Sequence, residues 1–359
     1  MRVLQIIDSL EAAGAERMAV NYANALSNEI DFSGLVATRK EGNLRNQINT
    51  NVPYLFLNKR STLDSIALLQ LRKFILKNNI EIIHAHGTSF FFAFLLKLVL
   101  PSIKLVWHDH LGIREKQSQM QNLSLILSSF TFSAIFVVNP KMKEWATSNL
   151  FAKKVFFIPN FVEVSNVNLE STILKGQVGK RIVCIANLKN PKNHMALLCA
   201  FHQLQLCDLG WSLHFVGKDF QDDYSTALKE YVNNFDLNTS VFIYDAQDDI
   251  QHILSQATIG ILASTAEGFP LVLLEYGLAQ LAVLSTNVGY CSSLIKPNFS
   301  GLLFNPNDIQ ELQNQLKILI SNSDFRNHIA VNLRLEVIEN YSREKIIQAV
   351  VQKYAAILV

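Results

Sequence analysis

Ile259-Gly260-Ile261-Leu262-Ala263-Ser264-Thr265-Ala266-Glu267-Gly268-Phe269-Pro270-Leu271-Val272-Leu273-Leu274-Glu275 is the stretch from which the fold can be read. Its first six residues are an apolar run with a β-branched bias, the pattern of a strand buried on both faces of a parallel sheet. Gly268 and Pro270 stop the strand and open a helix. Proline suits a first helical turn, where its missing N–H has no partner to lose. The backbone N–H groups of Phe269, Leu271 and Val272 then lie at a positive helix end, which favours a phosphate. Glu267 stands in the turn and Glu275 about two turns along the helix. The two carboxylates are placed to accept from hydroxyls on either side of a bound diphosphate.

These residues resemble the paired-glutamate signature of family 4 of the retaining glycosyltransferases (glycosyl transferases group 1). Downstream, Ala279-Gln280-Leu281-Ala282-Val283-Leu284-Ser285-Thr286-Asn287-Val288-Gly289 is similar to the family's next strand and turn. Gly301-Leu302-Leu303-Phe304-Asn305-Pro306-Asn307-Asp308 is similar to its following hairpin-like segment. The resemblance implies an α/β architecture, the GT-B fold, with two Rossmann-like doubly wound domains facing across a cleft.

The rest of the chain repeats one rhythm. Val3–Ile7, Ile80–His84, Lys104–Trp107, Ala134–Val138 and Val155–Ile158 read as strands, with Ala15–Leu26, Leu63–Lys77 and Ser89–Leu100 as helices. Strands alternating with helices imply parallel crossover units. After residue 180 the alternation restarts with Arg181–Ala186, His194–Cys207 and Trp211–Val216. The spacing predicts a first domain over 1–162, a linker over 163–179 and a second domain over 180–342. The helix 343–359 is amphipathic, and the resemblance implies that it packs back on the first domain.

The chain has 359 residues, 49% of them hydrophobic, enough for two packed cores. Cys184, Cys199, Cys207 and Cys291 lack metal-site or framework spacing and fit a reducing cytoplasm. Met1-Arg2 leads straight into a strand too short for a secretory signal, and the most apolar window, Phe90–Leu100, is too short to span a bilayer. The net charge of +2 hides +7 over residues 1–160 and −5 over the remainder. A basic first half fits an anionic partner, either a membrane surface or a phosphorylated lipid acceptor. No nucleic-acid-binding motif is present. The aromatic run Phe90-Phe91-Phe92-Ala93-Phe94, with Lys97, reads as a core helix or as one dipping into a bilayer interface.

Several loops could carry chemistry. Asn187-Leu188-Lys189-Asn190-Pro191-Lys192 follows the first strand of the second half. There the resemblance implies an arginine and a lysine on the donor diphosphate, where cations stabilise a leaving phosphate. Lys192 matches the lysine. Asn187 stands in place of the arginine, and Lys189 could supply the second charge. Gly217 matches a glycine beside the nucleotide, and Tyr244 falls where the family lines its base site. Leu10-Glu11-Ala12-Ala13-Gly14-Ala15-Glu16 resembles the family's glycine loop, with Gly14 facing the diphosphate and Ala13 replacing a glycine.

Two His-x-His pairs, His84-Ala85-His86 and His108-Asp109-His110, close strands. His110, and less closely His86, matches the family histidine that touches the donor sugar; His84 and His108 read as satisfied strand-end residues. A rival reading is a zinc site from the four histidines and Asp109. The family needs no metal, and no Asp-x-Asp diphosphate–metal signature is present.

The resemblance thus implies retaining transfer of a sugar from a UDP- or GDP-sugar to a hydroxyl of a glycan or lipid-linked glycan, in surface-polysaccharide, lipopolysaccharide or capsule synthesis. Glu267, Lys192 and His110 are the catalytic candidates. Gly14, Asn187, Lys189, Gly217, Gly268, Phe269, Pro270, Leu271 and Glu275 are the donor-binding candidates. Neither metal nor cofactor is expected. The expected place is the cytoplasm, at the inner face of the membrane. Alternatives are a GT-B epimerase or phosphorylase-like enzyme, or a catalytically silent scaffold, which Asn187 would suit.

Overall fold

The computed structural model describes residues 1–11, 13–112, 114, 117–162 and 171–358. The chain divides into two compact units, Met1–Glu163 with Ser342–Val359, and Val164–Tyr341.

The first unit is built on strands β1 (Arg2–Ser9), β2 (Phe32–Lys40), β3 (Tyr54–Phe56), β4 (Ile82–His86), β5 (Lys104–Asp109), β6 (Ala134–Val137) and β7 (Val155–Phe157). Between them run helices α1 (Gly14–Leu26), α2 (Ser65–Lys77), α3 (Phe90–Val99), α4 (Gln119–Ser128) and α5 (Pro140–Asn149). Every pairing is parallel, in the order β3-β2-β1-β4-β5-β6-β7. The order reverses between β1 and β4.

The second unit carries β8 (Arg181–Ile185), α6 (His194–Gln203), β9 (Ser212–Val216), α7 (Asp223–Asn234), β10 (Val241–Tyr244), α8 (Ile250–Ser255), β11 (Ile259–Leu262), α9 (Leu271–Leu278), β12 (Ala282–Thr286), α10 (Cys291–Leu294), β13 (Leu302–Phe304), α11 (Ile309–Ser321) and α12 (Ser323–Tyr341). Its sheet is parallel in the order β10-β9-β8-β11-β12-β13, reversing between β8 and β11. The last helix, α13 (Arg343–Leu358), belongs to the first unit. There Tyr354 places its hydroxyl 2.6 Å from His84 Nδ1.

Local chemistry explains the helix starts. The side chains of Asp64, Asn139, Asp222 and Asp308 accept from the N–H groups of Ala67, Met142, Ser225 and Glu311, capping α2, α5, α7 and α11. Strands β4, β6, β9, β11 and β12 are buried at every residue, as a sheet covered on both faces requires.

Two expectations change, and the reading of Phe90–Phe94 as a core helix holds. The segment 301–308 is no hairpin, because β13 pairs parallel with β12 as the sheet edge. Helix α3 is a core helix with Phe90, Phe92, Ala93 and Leu96 buried, and Lys97 Nζ donates to the carbonyls of Pro101 and Ile103 rather than projecting away. Of the segment read as a linker, residues 163–170 lie outside the described residues. Residues 171–179 are tied into the second unit: the N–H groups of Ser171 and Thr172 donate to Asp249, and Arg181 donates to the carbonyls of Lys175 and Gly176.

At the centre of the second sheet, β8 and β11 pair only at Ile259↔Ile182 and Gly260↔Val183. Beyond that point Tyr276 of α9 fills the gap. Its hydroxyl accepts from Ile185 N–H (2.9 Å) and donates to the Ile261 carbonyl (3.3 Å). The ring lies on Gly260, where a Cβ would stand 2.6 Å from it. Gly260→Ala is therefore expected to destabilise the second unit by about 1–3 kcal/mol through overpacking. Urea unfolding followed by circular dichroism measures this, and an unchanged midpoint would mean that the ring withdraws freely.

Candidate functional site

Ligands of doubly wound sheets bind at the carboxyl ends of the strands, where the strand order reverses. In the second unit that point lies between β8 and β11, and the loops after these strands clasp each other. Thr265 N–H donates to the Pro191 carbonyl (2.8 Å), and Lys192 Nζ lies 2.7 Å from Glu267 Oε1. The Lys192 and Glu267 side chains keep 26% and 11% of their surface exposed, so an incoming anion can reach the pair. The loop after β12 presses on the same turn. Gly289, at φ +55°, comes so close that a Cβ would lie 1.9 Å from the Glu267 carbonyl oxygen.

Helix α9 begins at Leu271, with Pro270 as its N-cap residue in an extended conformation (φ −79°, ψ 93°). Proline thus precedes the first turn instead of entering it. Glu275 is the fifth helical residue, one turn rather than two from the start, and half-buried. Phe269 is buried against Tyr290 and Tyr341, with ring centroids 5.1 and 5.8 Å away. Gly268 and Leu271 flank it, and together these residues set the turn that carries Glu267.

The loop after β8 holds a second group of residues. Asn187 Oδ1 accepts from Lys218 N–H (3.0 Å), which ties the loop after β8 to the one after β9. Gly217 is needed for that contact, because a Cβ there would stand 2.2 Å from the Ala186 carbonyl oxygen. Lys189 Nζ and Lys218 Nζ both lie over the Phe220 ring, 5.2 and 5.3 Å from its centroid. Lys218 was missed from the sequence, although a cation directly after a strand-end glycine was the available signal. His194 was missed as well. It is buried, one ring nitrogen lies 3.0 Å from the Tyr224 hydroxyl, and burial lowers its pKa to about 4. Tyr244 meets this group through its backbone, its carbonyl accepting from Gly217 N–H (3.3 Å), while its hydroxyl accepts from Lys175 N–H (3.4 Å) and lies 3.4 Å from His214 Nδ1.

In the first unit Gly14 opens α1 with open space where a Cβ would be, so no steric demand in this unit calls for glycine. The histidines form a stack across β4 and β5. The rings of His84 and His108 are 5.1 Å apart and within 7° of parallel, and His108 and His110 are 4.1 Å apart. Gln5 lies 2.8 Å from His86 Nε2, and His86 Nδ1 lies 3.0 Å from His110 Nε2. With the Gln5 carbonyl accepting, each Nε2 carries the proton, and His110 Nδ1 is a buried acceptor without a protein partner. Burial lowers the His110 pKa to about 3 and those of His84, His86 and His108 well below the usual histidine range, so all four rings are neutral.

The reading of His84 and His108 as satisfied residues needs correction. Among the described residues, His84 Nε2 and both nitrogens of His108 are buried without hydrogen bonds. One nitrogen each of His84, His86 and His108 falls within 4.8 Å of the others, which is spacing for a metal ion. The stacking opposes that reading. Ligand lone pairs lie in the ring plane, and parallel faces aim them side by side instead of at one point. Asp109 is occupied too, because Arg114 Nε donates to its Oδ2 (2.8 Å).

An unfolded histidine takes up a proton near pH 6.5, whereas these folded rings stay neutral. Below that pH the unfolded chain binds more protons, so stability falls as pH drops from about 6.5 toward about 3. Each such ring adds a slope of about 1.4 kcal/mol per pH unit. His108→Phe is expected to remove one such increment while leaving stability at pH 7.5 equal or higher. Urea melts at pH 7.5, 6 and 5 check this, and an unchanged slope would count against it.

The comparisons with known proteins agree with the fold. The model for glycosyl transferases group 1 matches residues 172–335, and that for Glycosyltransferase Family 4 matches residues 12–166. An uncharacterised glycosyltransferase of Haemophilus influenzae is 24% identical over 94% of this chain and 95% of its own length. An Escherichia coli UDP-Gal:alpha-D-GlcNAc-diphosphoundecaprenol alpha-1,3-galactosyltransferase is 21% identical over 97% and 95%. Among solved structures, Anabaena HepE in complex with UDP and glucose superposes with a TM-score of 0.83 at 17% identity, covering 99% of this chain and all of that one. Two Rossmann-like units, each with one of the two models matched to it, make this chain a glycosyltransferase of group 1 and family 4, with the GT-B fold.

Proposed function

We propose that the protein moves a hexose from a UDP-sugar to a hydroxyl of a lipid-linked diphosphate glycan, with retention of configuration, during synthesis of a cell-surface polysaccharide. The pairing of Lys192 with Glu267 at the β8/β11 reversal carries this reading. An ammonium there meets the donor diphosphate and steadies the phosphate as it leaves. Glu267, released from Lys192 by the incoming anion, accepts from a sugar hydroxyl, and Glu275 accepts from the ribose. Lys189 stands where it can add the charge that Asn187 does not supply. In the first unit, the neutral His110, whose buried Nδ1 has no partner among the described residues, could accept from a sugar hydroxyl once the site opens to it, His86 sets its orientation, and the Gly14 loop offers N–H groups to phosphate. Uridine is favoured because the Escherichia coli relative is named for UDP-Gal and HepE was solved with UDP. The same relative's name supports a diphospholipid-linked acceptor, and that acceptor would bring the enzyme to the inner face of the cell membrane. No metal is required in this scheme, since lysines supply the charge that a divalent cation would.

The test is thermal melting and transfer assays with UDP, GDP and their sugars, on wild type, Lys192→Ala and Glu275→Ala. Losing a charge-assisted hydrogen bond removes about 1.5–3 kcal/mol, so each variant should bind UDP about 10–100-fold more weakly. Glu267→Gln should bind UDP nearly as well as wild type and lose transfer. Absence of any nucleotide-dependent shift in the wild type would overturn the proposal.

A further inference from the structure

The first unit has a second feature at the carboxyl edge of its sheet, on the β3 side of the strand reversal. A cavity of about 270 Å³ is lined by Arg39, Lys59, Thr62, Thr88, Phe92 and Ser124, among others. Its construction is specific. Lys59 follows β3, and its N–H donates to the Thr38 carbonyl (2.7 Å), which extends the sheet past the end of the strand. The side chain then turns inward. Lys59 is only 8% exposed, and its ammonium lies 4.6 Å from the centre of the Phe92 ring. Among the described residues no hydrogen bond or ion pair reaches that ammonium.

The anion nearest in kind is Asp8, and it is already engaged. The hydroxyls of Thr38 and Thr88 donate to its two oxygens at 2.5 and 2.6 Å, and Arg39 Nε lies 3.8 Å from Oδ1. Burial lowers the Lys59 pKa, Asp8 and Asp64 oppose that shift, and Arg39 adds to it. A largely buried ammonium that neither carboxylate pairs with directly is costly, and a bound anion would supply a direct partner.

The surroundings are apolar. Thr62 is the chain neighbour of Leu63, and Ser124 that of Leu123; both leucines are exposed. Along α2, Ile66 and Leu69 are exposed at 70% and 64%, with Arg72, Lys73 and Lys77 also exposed and no acidic residue in the helix. Helix α4 carries no charged residue and exposes Met120, Leu123 and Leu127 at spacings of three and four. Both helices pack on α3, which contributes Phe92. An exposed apolar face beside basic residues suits an amphiphile. The cavity is small beside the roughly 300–1,000 Å³ of ordinary ligand pockets, so it takes a head group while the remainder of the ligand lies outside.

We propose that this cavity is the acceptor's phosphate site. Lys59 and Arg39 hold the phosphoryl oxygens of a lipid diphosphate, and the apolar rows of α2 and α4 lie against its hydrocarbon chain. This rests on the reading of the acceptor as lipid-linked, and it assigns the residues that recognise it.

The test is titration calorimetry of the full chain with farnesyl diphosphate, inorganic pyrophosphate and phosphatidylglycerol vesicles, on wild type, Lys59→Met and Arg39→Gln. Methionine keeps the packing on Phe92 and removes the charge, and Arg39 is exposed enough that its replacement leaves the core intact. Wild type should bind farnesyl diphosphate at least tenfold more tightly than pyrophosphate. Lys59→Met should weaken farnesyl diphosphate at least tenfold and Arg39→Gln several-fold, with the UDP-induced melting shift unchanged in both. Equal affinity for pyrophosphate, full binding by Lys59→Met, or loss of vesicle binding without any farnesyl diphosphate binding would each overturn the proposal. Loss of the UDP shift in wild type beside the expected farnesyl diphosphate results would sink the donor reading and leave this site standing.

Discussion

A parallel strand cannot be followed by a tight turn to its neighbour. It must be carried back by a crossover, so every loop that leaves a strand of one sheet emerges on the same edge. The functional geometry of this protein depends on that constraint. It brings Lys192 and Glu267, 75 residues apart, to 2.7 Å. It also gathers Asp8, Arg39, Lys59 and Thr88 from four successive strand ends around one cavity. The Tyr276 hydroxyl shows the same constraint from inside. Where the central strands of the second sheet diverge, ladder groups lose their partners, and a buried side chain from the next helix satisfies them.

The alternation of strands and helices was legible because burial on both faces makes each strand a run of apolar residues. The end of a run was less so. Glu275 reads as two turns into α9 when the helix is taken to open at Gly268, whereas Pro270 adopts an extended conformation and the helix begins after it. The parallel edge strand β13 was read as hairpin-like from the resemblance alone, and its three residues carry too little periodicity to correct that. Helices α4 and α12 were not anticipated. One is uncharged with apolar side chains on its exposed face, and the other has polar side chains around most of its girth, so neither shows the clean apolar stripe that periodicity detects.

Side-chain partnerships were harder still. That Asn187 ties Lys218, that Lys189 and Lys218 share one aromatic ring, and that Lys59 is buried with its ammonium over Phe92 are facts of three-dimensional neighbourhood. The histidine pairs were conspicuous in the sequence, and their spacing placed each pair on one face of a strand. The spacing could not show that the rings stack face to face, which turns their in-plane lone pairs side by side.

Helix α13 lies at the far end of the chain from the sheet it completes. Its Tyr354 meets His84 across 270 residues, and the intervening sequence includes the whole second unit. The first unit is therefore discontinuous in the chain, with the whole of 164–341 lying between its sheet and its last helix, whereas the second unit is contiguous. Closure of the first unit needs contacts of very long sequence separation, which are the slow ones to form.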